Sequence, residues 1–414
     1  MTATADRPFR AVVTGFGMVT AAGLSATATW EALLSGRSTT RRVTGLAGMP
    51  VDFACQADRF DGDAALGRRI AWRLDRSTQM AMTATAEALK QAGLDPGTWD
   101  GARVGVVLAT ALGGMTTWER EYGRLRELGP GAVSPLLIPM AAVNMTAGHV
   151  ASAYGAKGPN FATATATACA SSTTALGAAR DLLRADLCDV VIAGGTEAPI
   201  TPLIGASFAK MGALSTRNDD PATASRPFDA ARDGFVLGEG ASVLVLERPE
   251  HARARGARPY AFLSGYGASA DAGHPTRPDP EGLGAEAALR AALNDADLAP
   301  EDVDHVNAHG TSTPLNDAVE SQVTHRVLGD RPAVTSIKGV TGHCLGAAGA
   351  HEAVATVLSL HHQVVPPTAN VQELDPRLQV DVVTDKPRPL LMASAVSHSF
   401  GFGGQNAVVA FTSA

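Results

Sequence analysis

The stretch TATATACASSTTALGAAR, residues 163–180, changes its period in the middle. Thr and Ala alternate with the two-residue period of a strand as far as Ala168, and from Ser171 onward small and apolar residues recur at helical spacing. Cys169 stands where one pattern yields to the other. This predicts a position at or beside a helix N-terminus, where unpaired N–H groups and the helix dipole favour a thiolate. A thiol with a lowered pKa is a nucleophile. Ser171 and Ser172 also fit as plain helix caps, and an inert buried cysteine fits the same letters, because free Cys is among the most buried residue types.

The same alternation extends in both directions. Short apolar runs such as RAVVTGFG, RVGVVLAT, CDVVIAGGTEA and ASVLVLE are separated by Ala/Leu-rich helical stretches, and the order returns after HARARGARP (251–259) with YAFLSGYGASA, DHVNAHG, AVTSIKG and SAVSHSFGFGGQNAVVAFTS. Strands that read as continuous apolar runs between helices imply α/β layers with both sheet faces covered. Each half supplies a comparable set. Residues 1–254 and 255–414 are therefore the two expected halves of a duplicated fold, packed as one body. No exact repeat is visible in the letters, so the duplication rests on element order.

Composition narrows the function classes. The chain has 414 residues, 45% hydrophobic and 18% charged, with a net charge of −7, which suits a compact enzyme and gives no general affinity for nucleic acid. The N-terminus lacks a secretory pattern, and the longest nearly uncharged stretch, around 133–156, carries Pro, Asn, His and Gly, reading as buried core and not as a membrane span. Four scattered cysteines form no CxxC pair, which points to a reducing cytoplasm.

Three further segments carry chemistry. DHVNAHGTSTPLNDAVE (304–320) delivers His309 from a short strand into a Gly/Thr-rich turn, with Asp317 and Glu320 on the next helix. A histidine at such a loop is accessible for proton transfer, although alone it is equally compatible with a structural role. SIKGVTGHCLGAAGAHEAVATV (336–357) adds Lys338, one of only five lysines, and His343. A lysine between Ile337 and a glycine needs a partner if buried, and Glu352 is the candidate. In SHSFGFGGQNAVVAF, Phe400 and Phe402 sit among glycines that let backbone approach a ligand, or that simply make a turn.

Together with ALSTRNDDPATASRPFDAARDGFVLGEGA (213–241), these segments resemble the β-ketoacyl-acyl carrier protein synthases of the thiolase fold, of the elongating type with one Cys and two His, and the resemblance spans essentially the whole chain. It implies a five-layered αβαβα duplication, dimerisation, and a cytoplasmic acyltransferase that works on carrier-bound substrates. Cys169 would accept an acyl chain, and His309 and His343 would serve the decarboxylative condensation with malonyl-ACP. Lys338 and Glu352 would form an ion pair organising the histidines, Phe400 would gate malonyl access, and Asp317, Thr311 and Thr313 would be supporting positions. No metal or resident cofactor is expected, since the phosphopantetheine arm comes with the carrier. The partner is acyl carrier protein, and the dimer mate is a second copy or a Cys-less chain-length factor, in fatty-acid or type II polyketide synthesis.

There are departures from the family pattern. The segment between Pro159 and Cys169 is two residues longer through an extra Ala-Thr repeat, His398 stands where asparagine is usual, and Cys344 where an apolar residue is usual. A non-catalytic chain-length factor is one rival, opposed by the presence of Cys169 and both histidines. A thiolase using Cys344 as acid/base is another. GFGMVTAAG (15–23) lacks the third glycine of a dinucleotide fingerprint, and HEAVA (351–355) has Ala355 where a zinc motif needs its second histidine. His361 and His362 read as solvated helix-end residues. Finally, LGRRIAWRLDRSTQMA (66–81) is expected to place Arg68, Arg69, Arg73 and Arg76 on one helix, the last three on a single face, either as a solvated surface or as the docking patch for an acidic carrier protein.

Overall fold

The computed structural model describes residues 8–161 and 167–414. Eleven strands form one mixed sheet: β1 (Ala11–Thr20), β2 (Val104–Ala109), β3 (Asn160–Phe161), β4 (Val190–Glu197), β5 (Gly240–Glu247), β6 (Ala261–Ala270), β7 (His305–Asn307), β8 (Ala333–Thr335), β9 (Asp381–Val382), β10 (Ser394–Gly401) and β11 (Gln405–Ser413). Their spatial order is β9-β8-β7-β10-β11-β6-β1-β5-β4-β2-β3.

That order contains the duplication. With β9 set aside, an extra edge strand paired in parallel with β8, and strands counted within each half, both run first-fifth-fourth-second-third, with antiparallel pairs first–fifth and fifth–fourth and parallel pairs fourth–second and second–third. The halves join where the start of β1 pairs with β6, Ala11 to Leu263 through Val13 to Ala261. On its other edge β1 pairs with β5 from Val12 to Thr20, across a register shift at Val13/Gly15. That three-residue pairing of β1 with β6 is what joins the two halves of the sheet.

Helices complete the layers. Helix α1 (Arg76–Ala92) covers the outer face of the first half and α3 (Leu283–Ala296) that of the second, while α2 (Ser171–Arg184) and α5 (Ala348–His362) touch each other and strands of both halves between them. Helix α4 (Pro314–Leu328) lies against α3. The result is the five-layered αβαβα thiolase fold.

A repeat in the letters does exist, on the first strand of each half. A Cβ on Gly15 or Gly17 would lie 2.3 Å from the Ala88 carbonyl oxygen or 2.1 Å from that of Ala84, and one on Gly265 or Gly267 would lie 2.2 Å from that of Ala292 or 2.1 Å from that of Ala288. GFG and GYG thus let both outer helices sit directly on the strand backbone. That is the role of Gly15 and Gly17 in GFGMVTAAG. Among the described residues, no helix is long and apolar enough to cross a membrane.

Candidate active site

Cys169 lies in a tight turn that opens α2. After Thr167, Ala168 takes φ +49°, residues Ala168–Ala170 form a single 3-10 turn, and α2 begins at Ser171. Serine and threonine hold this turn: Ser171 Oγ accepts from Thr167 N–H (3.0 Å) and donates to the Ala168 carbonyl (2.6 Å). So Ser171 caps the turn that presents the sulfur. The extra Ala-Thr repeat falls largely on residues 162–166 and lies outside the described residues.

The expected helix-start thiolate is corrected by burial. Cys169 is enclosed, and desolvation pushes its thiol up to about 11 despite the Lys338 charge and the Phe402 backbone N–H, which both pull it down. Low dielectric penalises the thiolate more than the helix start favours it. The resting group is a thiol.

His343 Nε2 stands 3.1 Å from that sulfur. It reaches this point after Gly342 (φ +67°), with its own N–H donated to the Val236 carbonyl (2.7 Å) and Phe235 edge-on to its ring. His309 leaves the end of β7 with its ring 5.3 Å from that of His343 and nearly perpendicular to it. Its N–H and that of Gly310 donate to the two oxygens of Glu320 on α4, each at 2.7 Å. Burial, then the nearby Lys338 charge, hold both imidazoles well below the ordinary histidine range, so both are neutral near pH 7.

Lys338 fixes the His309 tautomer. Its buried ammonium pairs with Glu352, donates to the His309 carbonyl (2.5 Å), and stands 3.3 Å from His309 Nδ1. An ammonium can only donate, so Nδ1 accepts and the ring proton sits on Nε2. The Cys169, His309 and His343 ligand atoms lie within 4.8 Å of one another.

These groups line a cavity of about 400 Å³ together with Thr311, Thr313, Phe400 and Phe402. The Thr311 and Thr313 hydroxyls are 2.9 Å apart, and Thr313 also caps α4. Phe400 stands beside His309, ring centroids 6.1 Å apart. Gly401 permits this turn to approach the nucleophile, since a Cβ there would lie 2.9 Å from the Thr167 carbonyl oxygen and 3.1 Å from Cys169 N.

Other expected residues fall elsewhere. Asp317 faces away from the cavity, accepting from Phe228 N–H (2.9 Å) near Arg232, and burial raises its carboxyl to about 6. Cys344 is buried behind His343 against Gly238 and does not line the cavity, which removes the geometry a Cys/Cys thiolase pair requires. His398 Nδ1 meets Glu320 Oε1 at 3.1 Å. Glu320 itself was not among the expected site residues. Its spacing from Asp317, one helical turn along the same buried face, is the signal that could have found it.

The arginine patch is also corrected. Arg68–Ala71 is a single short helix, and Asp75 caps a new one by accepting from Ser77 N–H, so Arg69, Arg73 and Arg76 share no face. Arg76 turns inward to Glu239 (2.7 and 3.0 Å) and the Ala57 carbonyl. It is a structural ion pair. Arg68, Arg69 and Arg73 remain exposed, with Arg73 over the Trp72 ring at 5.0 Å.

Comparison with known proteins follows the same lines. Residues 9–252 match the model of the beta-ketoacyl synthase N-terminal domain, and residues 260–372 that of the C-terminal domain. The chain is 43% identical over 407 residues to 3-oxoacyl-[acyl-carrier-protein] synthase 2 of Synechocystis sp., covering 97% of both chains, and 42% identical over 402 residues to the protein of that name from Coxiella burnetii, covering 96% and 97%. Among solved structures it is similar to a beta-ketoacyl synthase from Burkholderia phymatum (35% identity, TM-score 0.91, 98% and 100% covered). It is also similar to a ketosynthase bound to a hexaketide and complexed with its type II polyketide acyl-carrier protein (32% identity, TM-score 0.91, 99% and 100% covered).

Proposed function

The chain belongs to the beta-ketoacyl synthase family, and on that premise we propose that it is a discrete 3-oxoacyl-ACP synthase in which Cys169, His309 and His343 perform the chemistry. The observation that carries this reading is the 3.1 Å contact of His343 Nε2 with the Cys169 sulfur beside a His309 whose tautomer Lys338 sets.

In the first step, the Cys169 thiol attacks the thioester carbon of an acyl-ACP. Its proton passes to His343 Nε2 and on to the departing carrier thiol, and the backbone N–H groups of Cys169 and Phe402 serve the oxyanion. Covalent capture divides the condensation into two easier steps. In the second, malonyl-ACP loses CO₂, and its C–C electron pair becomes an enolate. His309 Nε2–H donates to the enolate oxygen, and His343 joins it once exchange with water between the two steps has moved its ring proton from Nδ1 to Nε2. The enolate carbon attacks the acyl-Cys169 carbonyl, the C–S bond breaks, and the released thiolate takes one proton from water. Lys338 and Glu352 hold His309 in place, Phe400 borders the malonyl approach, and Thr311 and Thr313 line the path of the arm. The reaction calls on no metal or resident cofactor, the reacting thioester being carried by phosphopantetheine.

Arg68, Arg69 and Arg73 are the docking surface this reading offers to an acidic carrier. The halves divide between 254 and 255, and the cysteine pattern suits a cytoplasmic setting. A second reading, the Cys-bearing subunit of a type II polyketide system paired with a chain-length factor, is favoured by solved neighbours such as the ishigamide ketosynthase/chain length factor (31% identity, TM-score 0.92). Co-purification with a Cys-less paralogue separates the two.

The experiment that tests the chemistry is Cys169→Gln. The variant should not elongate, because no sulfur can accept the acyl group, yet it should release CO₂ from malonyl-ACP. Adding His309→Ala or His343→Ala should suppress that release by about a hundredfold, the scale set by losing one charge-stabilising donor. Elongation by the Gln variant would show a different nucleophile, and CO₂ release indifferent to both histidines would remove their role.

A further inference from the structure

We propose that Arg277 is an anchor for the phosphate of the phosphopantetheine arm and so discriminates phosphorylated from phosphate-free thioesters. The inference rests on the ketosynthase reading, which puts the thioester end of the arm at Cys169. The arm carries its thioester at one end and its phosphate ester at the other, so a thioester at the floor of the cavity leaves the phosphate at the mouth.

Arg277 stands at that mouth with Thr276 and Pro278, and among the described residues it is the one lysine or arginine lining the cavity. It is exposed, and among the described residues its guanidinium meets no carboxylate. The two acidic residues lining the same cavity are already engaged. Asp233 Oδ2 accepts from Thr216 N–H (3.0 Å) and its hydroxyl (3.1 Å). Asp271 accepts from Asn406 Nδ2 (2.7 Å) and Asp279 N–H (3.1 Å). A free planar guanidinium suits a phosphate, which it can meet with two parallel N–H donors.

The backbone that carries Arg277 is set beforehand. His274 Nδ1 accepts from Thr276 N–H (3.1 Å) and Arg277 N–H (3.2 Å), and the Pro275 carbonyl accepts from Gly403 N–H (2.7 Å), tying the loop to the turn beside Cys169. Pro275 and Pro278 bracket the segment and limit its freedom. Little ordering is left for the ligand to impose.

Acyl carrier protein and coenzyme A present the same phosphorylated arm, so both belong in the test with an acyl-pantetheine that lacks the phosphate. Acyl transfer to Cys169 would be measured for the native chain, Arg277→Ala and Arg277→Lys with each donor. Arg277→Ala should lower kcat/KM for both phosphorylated donors about five- to tenfold more than for acyl-pantetheine, through KM and with a salt-sensitive margin, and Arg277→Lys should recover part of it. Equal losses on all three donors would make the loop merely structural and overturn the proposal. A selective loss confined to acyl-ACP would place Arg277 against the carrier's surface, and one confined to acyl-CoA against the nucleotide; either overturns it. If the native chain takes up acyl groups from none of the donors, the ketosynthase reading itself fails and the anchor with it.

Discussion

The same backbone device occurs twice in this molecule, and only one copy holds a nucleophile. In the first half Ala168 (φ +49°) opens the 3-10 turn Ala168–Ala170 ahead of α2, and in the second Leu345 (φ +44°) opens the 3-10 turn Leu345–Ala347 ahead of α5. Each follows the third strand of its half, and the two turns touch. The second position of the turn is Cys169 in one and Gly346 in the other. The first borders the cavity, whereas Gly346 packs against the loop after β2, with its N–H donated to Glu197 (3.1 Å). Duplication supplies the turn, and the neighbours decide whether its second residue can carry a side chain.

Moving the nucleophile to the second turn is the most destructive way to test that conclusion. A Cβ on Gly346 would lie 2.3 Å from Ala111 N and 2.6 Å from Glu197 Oε2, distances no packed structure holds. Gly346→Cys should therefore lose soluble protein, or several kcal/mol of stability, since backbone cannot yield as a flexible side chain does. Thermal unfolding and yield measure it. A variant that folds normally would show that the site is not closed, and that sequence drift alone kept the cysteine to one half.

A milder test uses the cysteines already present, Cys169 in the first turn and Cys344 just before the second. Burial raises Cys169 to about 11, so its thiolate fraction near pH 8 is about a hundredfold below that of a free thiol of pKa 9. The sign follows from the direction: iodoacetamide labelling of folded Cys169 should climb about tenfold per pH unit from pH 7 to 10, without the neutral plateau of a low-pKa thiolate. Cys344, pushed up by burial and away from the cavity, should stay unlabelled until the chain unfolds. Peptide mass spectrometry reads both. Rapid labelling of Cys169 at pH 7 would restore the helix-start thiolate.

What could be read from the letters divides on the same physical line. Cys169 was legible as a candidate because it stands at a change of period, and His309, His343, Lys338 and Glu352 as unusual residue types, but it was the family resemblance that joined them into one site. The protonation of Cys169 was not legible, since it depends on what chain from elsewhere closes over the sulfur. Arg76 was misplaced because a continuous helical pattern hid Asp75, whose cap restarts the helix and turns Arg76 toward Glu239, 163 residues away. Glu320 was passed over because its partners are the backbone N–H groups of His309 and Gly310, which no side-chain pattern announces. The duplication was legible in element order, while its clearest literal trace, GFG against GYG, was masked by resemblance to a broken nucleotide motif.

The smallest expected effect probes the turn itself. A left-handed φ on a non-glycine residue costs about 1 kcal/mol, so Ala168 stores strain that a glycine would relieve. Glycine also gives the unfolded chain more freedom, which costs roughly 0.5–1 kcal/mol in the opposite direction. The two terms nearly cancel. Ala168→Gly should therefore leave the free energy of unfolding within about 0.5 kcal/mol of the native value, whereas Ala175→Gly, at a fully buried site on the regular part of α2, should cost about 1 kcal/mol or more. Denaturant unfolding of the two variants side by side makes the comparison independent of the absolute scale. Equal losses would mean that Ala168 bears no strain, and that the resemblance of the two turns is one of hydrogen bonding alone; a near-zero change at 168 beside a clear loss at 175 would show that the nucleophile's turn is held against its own backbone preference by the helix and glycine turn packed around it.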